Sequence, residues 1–154
     1  MLRNSFVAGL CMCVAASGLY ASSVSFMIAE TGMSQGSADD RYSALWESSL
    51  MEAFFESGHI VSSAPRIRLA EPPPPNGFPH EAKKDYEDAG SGGMDYFLVA
   101  IVDIASRDVS LRLFSTRDME LVAHKTYTAA TPARSREESE SIGRAAREMA
   151  AFLR

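Results

Sequence analysis

The sequence is poor in cysteine and histidine and has no block of like charge. Its 154 residues include two cysteines and three histidines. Both cysteines, Cys11 and Cys13, lie inside one apolar stretch near the start, Phe6–Ala16 (FVAGLCMCVAA). If that stretch is removed, the remaining chain holds no thiol. It then has no disulfide, no cysteine nucleophile and no thiolate metal site. A lipoprotein cysteine needs a small residue before it, and Leu10 and Met12 do not fit that rule. The formal charge is −5, with acids and bases mixed along the chain and no basic stripe. The electrostatic footprint of nucleic-acid binding is therefore missing. His59, His80 and His124 show no HxH or HExxH spacing, so no metal centre is written locally. There is no GxSxG elbow and no SxxK. Ser91-Gly92-Gly93 precedes a strand instead of opening a helix, so its amides would not form a phosphate cradle. The expectation is a non-enzymatic chain with no cofactor and no catalytic or metal-binding residues.

What is present begins with a leader. Arg3 supplies a positive start, Phe6–Ala16 an apolar centre, and SGLYA small residues before a cut after Ala21. Residues 1–21 read as a signal peptide, and 22–154 as one domain of modest core. The alternative is an uncleaved anchor, because no charge occurs between Arg3 and Glu30. Ser17, Ser22, Ser23 and Ser25 interrupt such a span. The expected location is periplasmic or otherwise exported, with membrane attachment only if this segment is retained.

Hydrophobic period and punctuation place the elements. Ser23–Ala29 alternates as a strand, followed by a loop over Glu30–Ser37. Ser37 with Asp40 resembles a capping box, opening a helix that Gly58 ends. Its buried face should hold Tyr42, Leu45, Trp46, Ser49, Leu50 and Ala53. His59–Ser62 reads as a short strand that Arg66–Leu69 either extends or leaves as loop. The proline-rich stretch 71–79 (EPPPPNGFP) reads as an exposed polyproline-like spacer. Glu81–Ala89 reads as a short helix ended by Gly90. Tyr96–Val102 reads as a strand covered on both faces, and Val109–Leu113 as another. Met119–Thr128 should return as a hairpin, with its phase open because Leu121, Val122 and Ala123 are consecutive. Ser135 with Glu138 forms a second capping box before a last helix that buries Ile142, Ala145, Ala146, Met149 and Leu153. The predicted class is α/β (α+β): a single mixed sheet of about five strands covered by two long helices and one short helix.

Asp95 and Asp103 bracket the apolar run and lie eight positions apart. In a strand that separates them by about 26 Å. Paired acid–base carboxylates work at about 5–10 Å, so each acid reads as the wet end of a strand. A stronger hint is steric. Ala44, Met51 and Phe55 fall on the first long helix opposite its buried face, with Arg41, Glu47, Glu52 and Glu56 between the two stripes. Either the proline-rich stretch or the second helix covers them, or they contact a partner.

The elements also resemble a bacterial envelope family. A helix runs into ESGHIVSS, a short helix ends in EDAG, GGMDYFLVAIVDI opens a core strand, and STRDMELVAHK forms a hairpin. This pattern is similar to the α/β domain shared by the TolB N-terminal domain, the curli-secretion CsgG family, LpoB-type activators of penicillin-binding proteins and the flagellar FlgT. The matching positions are Gly58–Val61, Ala89-Gly90 and Asp95–Phe97. The chain departs from the family in its EPPPP segment, in lacking the lipoprotein cysteine, and in having no visible appended domain. The resemblance implies a non-enzymatic envelope module that binds other proteins, and it transfers no catalytic residue. Two alternatives remain open: a small hydrolase or ligand-binding domain using Asp95 or Asp103 with a histidine, and a membrane-tethered structural subunit. Partner identity and oligomeric state are not written in the sequence.

Overall fold

Two apolar stretches, Ser23–Thr31 and Tyr96–Asp103, pair in parallel over eight positions, from Val24↔Tyr96 to Thr31↔Asp103. The computed structural model describes residues 21–32, 40–128 and 135–153. Residues 1–20 of the expected leader lie outside the described residues, as do Ser37 and the side chain of Asp40 in the first capping box and the side chain of Ser135 in the second. In chain order the elements are β1 (Ser23–Thr31), α1 (Asp40–Glu56), β2 (Ile60–Ser63), β3 (Ile67–Arg68), a 3-10 turn (His80–Ala82), α2 (Lys83–Ser91), β4 (Tyr96–Asp103), β5 (Val109–Ser115), β6 (Leu121–Tyr127), α3 (Ser135–Ala150) and a closing 3-10 turn (Ala151–Leu153). The sheet order is β2-β1-β4-β5-β6, with β3 also pairing β1. β2, β3 and β4 run parallel to β1, while β5 and β6 fold back as antiparallel hairpins. This is the predicted mixed sheet with two long helices and one shorter one, with β3 as a sixth, two-residue strand. β1 extends two residues past the expected end, because Glu30 and Thr31 still pair, with Arg68 on one side and with Val102 and Asp103 on the other.

Strand alternation divides the interior into two cores. Val24, Phe26, Ile28, Leu98, Ala100 and Val102 join Trp46, Leu50 and Phe54 of α1 and Ile142, Ala146 and Met149 of α3. Met27, Ala29, Phe97, Val99 and Ile101 turn to the other face, toward Tyr86 and Ala89 of α2. Two covered faces explain why Tyr96–Val102 carries no polar residue. The expected face of α1 is buried as predicted, with Leu45 partly so.

Helix ends are set by backbone geometry. After α1, Gly58 adopts φ 83°. Its amide donates to the Phe55 carbonyl, and the His59 amide donates to that of Phe54. This is a Schellman cap, and its usual apolar contact is made by the His59 ring against Phe54, 6.0 Å between centroids. After α2 the same cap recurs later than expected. The helix continues through Gly90, and Gly93 (φ 81°) takes the left-handed position. The Met94 amide donates to Ala89 and that of Gly93 to Gly90. Each cap leads almost at once into a parallel strand.

The hairpin phase is resolved by a β-bulge. Leu113 pairs Ala123 while Phe114 pairs Leu121, so Val122 has no opposite number. The extra residue sends Ala123 to the α1–α3 core and Leu121 to the α2 core, leaving Val122 exposed.

Most of the proline-rich stretch is exposed, as expected, but it is tied to the sheet instead of hanging free. Pro74 to Gly77 form a turn closed by the Gly77 amide on the Pro74 carbonyl, with Asn76 at φ 61°. Arg112 of β5, only 5% exposed, donates through Nη1 to the carbonyls of Pro74 (2.9 Å) and Gly77 (2.6 Å). Its Nε donates to Ser110 Oγ, which in turn meets His124 Nε2 at 3.0 Å. Burial first, and then the Arg112 charge, push the His124 imidazole below its ordinary value. A neutral ring can accept the Ser110 hydroxyl proton, and the network is satisfied. Beside it Phe78 packs against Tyr86 (5.2 Å) and Phe114 (5.0 Å). Replacing Arg112 by Leu strips the Gly77 carbonyl of its donor, leaves the Pro74 carbonyl only the Gly77 amide, and is expected to cost about 1–3 kcal/mol. Chemical denaturation measures the loss, and amide exchange at Gly77 should accelerate with it.

Candidate interaction surface

Each acid of interest is occupied in holding the fold. Asp95 Oδ2 accepts from the Ser23 amide (3.0 Å) and the Ser23 hydroxyl (2.9 Å). These bonds, the backbone one first, hold its carboxyl below the usual carboxylate range. Asp103 Oδ1 accepts from the amides of Ala105 and Ser106, capping the β4–β5 turn. It also lies over Gly32, where an added Cβ would collide with Oδ1. With Gly32 at φ 72°, only glycine suits that position. Asp95 sits just before β4 and Asp103 ends it, so the strand holds them far apart.

The histidines are dispersed. His59 is buried on the α1 side with neither ring nitrogen hydrogen-bonded. His80 is exposed at the 3-10 turn. His124 meets Ser110. Among the described residues no histidine hydrogen-bonds an acid, and no group of three or more His, Cys, Asp or Glu side chains could hold a metal ion. A polar groove of about 390 Å³ lies between α1 and α3, lined by Glu52, Glu140, Arg144 and Arg147 among others. Its mixed charge sets no nucleophile beside a base.

The remaining candidate is the outer face of α1. Phe55 is 73% exposed, Ala44 is exposed and Met51 is half-buried against the α1–α3 core. The proline-rich stretch and α2 pack on the opposite side of the sheet, so neither covers these residues, contrary to one of the two expectations. At about 100° per residue, Ser48 lies within about 60° of both Ala44 and Met51 and between them along the axis. The face is thus an uncharged stripe, Ala44–Ser48–Met51–Phe55, about 16 Å long. Ser48 does not stand out in the sequence because it is polar; its place on the helical wheel was the available signal. One flank of the stripe carries Glu47, bound to Arg66 at 2.7 Å. The other carries Arg41, Glu52 and Glu56, which form no ion pair among the described residues.

The sheet edges are less inviting. β2 has four residues and is followed by Ala64-Pro65. β6 is bulged and carries Lys125, bound to Glu148 at 2.6 Å. Shortness, proline, bulge and charge are the devices that blunt strand addition. Ile60, 61% exposed at the start of β2, lies on the other side of the sheet from the stripe.

Neither a protein-family model nor a curated protein matches the chain. Among solved structures it is similar to a variant PelC dodecamer from Paraburkholderia phytofirmans, at 16% identity and TM-score 0.49, covering 85% of this chain and 89% of that one. It is similar to TolB from Acinetobacter baumannii, at 12% identity and TM-score 0.43, covering 85% of this chain and 28% of that one. The LpoB C-terminal domain from Salmonella enterica is similar at 15% identity and TM-score 0.39, over 75% of this chain and 88% of that one. TolB and LpoB are two of the proteins the sequence pattern resembled. At these identities and scores the likenesses carry no functional reading.

The Asp95 clamp has a pH signature. Its folded carboxyl binds a proton less readily than the unfolded one. Its contribution is therefore complete above the ordinary carboxylate value, about 3.9, and is lost as pH falls through the lowered folded value. Asp95→Asn should cost about 1–2 kcal/mol at pH 7 and much less at pH 2. Urea unfolding at the two pH values checks this, and an equal cost at both would mean that the clamp's charge contributes nothing.

Proposed function

We propose that the chain is a non-enzymatic module of the bacterial envelope that docks a protein partner through the outer face of α1. One observation carries the reading: Phe55, a large apolar side chain, stands 73% exposed on a helix whose end is locked by the Gly58 cap. A rigid aromatic anchor costs little ordering entropy on binding, and such residues dominate interface energetics. The charged flanks supply the polar rim of an interface. The leader-like composition of residues 1–21 supports export. Among the described residues no helix is long and apolar enough to cross a membrane. Export and tether are separated by the mature N-terminus: a start near Ser22 fits cleavage, and a retained Met1 fits the tether. The hydrolase alternative is disfavoured by Asp95 and Asp103 being engaged with Ser23 and with a turn.

A photo-crosslinker at position 55 should capture a discrete adduct in the envelope, while one at Glu87 of α2 should not. Phe55→Asp should leave the melting temperature within about 2 °C of the parent and abolish the adduct formed from a crosslinker at Ser48. A mutant that unfolds would place Phe55 in the core. A stable mutant that still forms the adduct would exclude the α1 face.

A further inference from the structure

We infer that the partner on the α1 face is a second copy of this chain, packed antiparallel about a two-fold axis centred near Ser48; this rests on the reading of the α1 face above. The stripe is complementary to itself in size. Its N-terminal half is small, Ala44 and Ser48, and its C-terminal half is large, Met51 and Phe55. A helical side chain leans toward the helix N-terminus and covers the turn before its own Cα. Phe55 therefore overlies the level of Glu52, and in a two-fold pair centred on Ser48 that level faces Ala44 of the second copy. Each Phe55 meets an Ala44, and the two Met51 side chains meet across Ser48.

The stripe is also self-complementary in charge. A two-fold axis perpendicular to both helices keeps each flank on its own side while reversing direction. Arg41, about 60° to one side of the stripe, then lies beside Glu52 and Glu56 of the second copy, which sit on that same flank. None of these three forms an ion pair among the described residues. Within one chain Glu52 and Glu56 crowd the carbonyl end of α1, whose last turn carries no basic residue. That is an unfavourable place for acids, and the second Arg41 relieves it. On the other flank the two Glu47 side chains come opposite each other, and each is neutralised by its own Arg66. A contact built on one helix face is small, so the association should be on the order of micromolar.

Sedimentation equilibrium of the purified chain tests the inference. A reversible dimer is expected, with Phe55→Asp monomeric at the same concentrations. Arg41→Glu and Glu56→Arg should each weaken the dimer by about fivefold to tenfold. The two changes in one chain should recover most of that loss, a rescue that general destabilisation cannot produce. A chain monomeric up to about 0.1 mM, well above a micromolar Kd, overturns the inference. So does a dimer indifferent to Phe55→Asp, or the absence of charge-swap rescue. If the chain is monomeric while Phe55→Asp still abolishes crosslinking to another protein, the dimer falls and the binding-module reading stands. If Phe55→Asp changes neither assembly nor crosslinking, both fall.

Discussion

The parallel pairing of β1 with β4, sealed on both faces, is the constraint on which the rest of the molecule depends. Eight consecutive residue pairs run from Val24 to Thr31 along β4. At one end Asp95 grips Ser23, and at the other Asp103 lies against Gly32. A strand covered above and below cannot slip by one residue, because that would exchange the residues of its two faces. With this pair fixed, α1 and α3 can lie only on the side of Phe26 and Leu98, and α2 only on the side of Met27 and Phe97.

Placement of the helices then decides what is left for function. α1 presents its inner face to the core and its outer face to solvent, since α2 and the proline-rich stretch are committed to the far side of the sheet. Thr116 Oγ1 reinforces that commitment by donating to the Asp95 carbonyl, and Tyr86 by donating its hydroxyl to the Ser115 carbonyl. At the opposite end Arg107 stacks on Tyr42, 4.4 Å from the ring centroid, and bonds Glu138 at 2.6 Å. That contact ties α1 and α3 to the β4–β5 turn. The polar groups with the most demanding geometry are thus engaged in holding shape. The proposed role as a binding surface draws on this arrangement.

Much of the fold was legible because it is periodic. The apolar run in β4, the buried face of α1 and the small residues of α3 are local patterns that packing did not override. What was not legible depends on contacts distant in sequence. The anchoring of the proline-rich stretch needs Arg112, which alternates with Leu111 and Leu113 along β5. The hairpin phase needs a bulge, and three consecutive apolar residues do not say where it falls. The continuation of α2 past Gly90 depends on whether Gly90 or Gly93 takes the left-handed position, and both are glycine. For the candidate surface, Ala44, Met51 and Phe55 were visible on the wheel, but their freedom from cover was not. That is a property of which side of the sheet α2 occupies.

Hydroxyl-radical footprinting of the chain, dilute and free against assembled in the envelope, tests the central claim most directly. Phe55 and Met51 are expected to lose reactivity on assembly while Met119 and Phe152, exposed elsewhere, do not. Unchanged Phe55 reactivity alongside new protection at Met119 or Phe152 would contradict the claim, and would move the working surface away from α1.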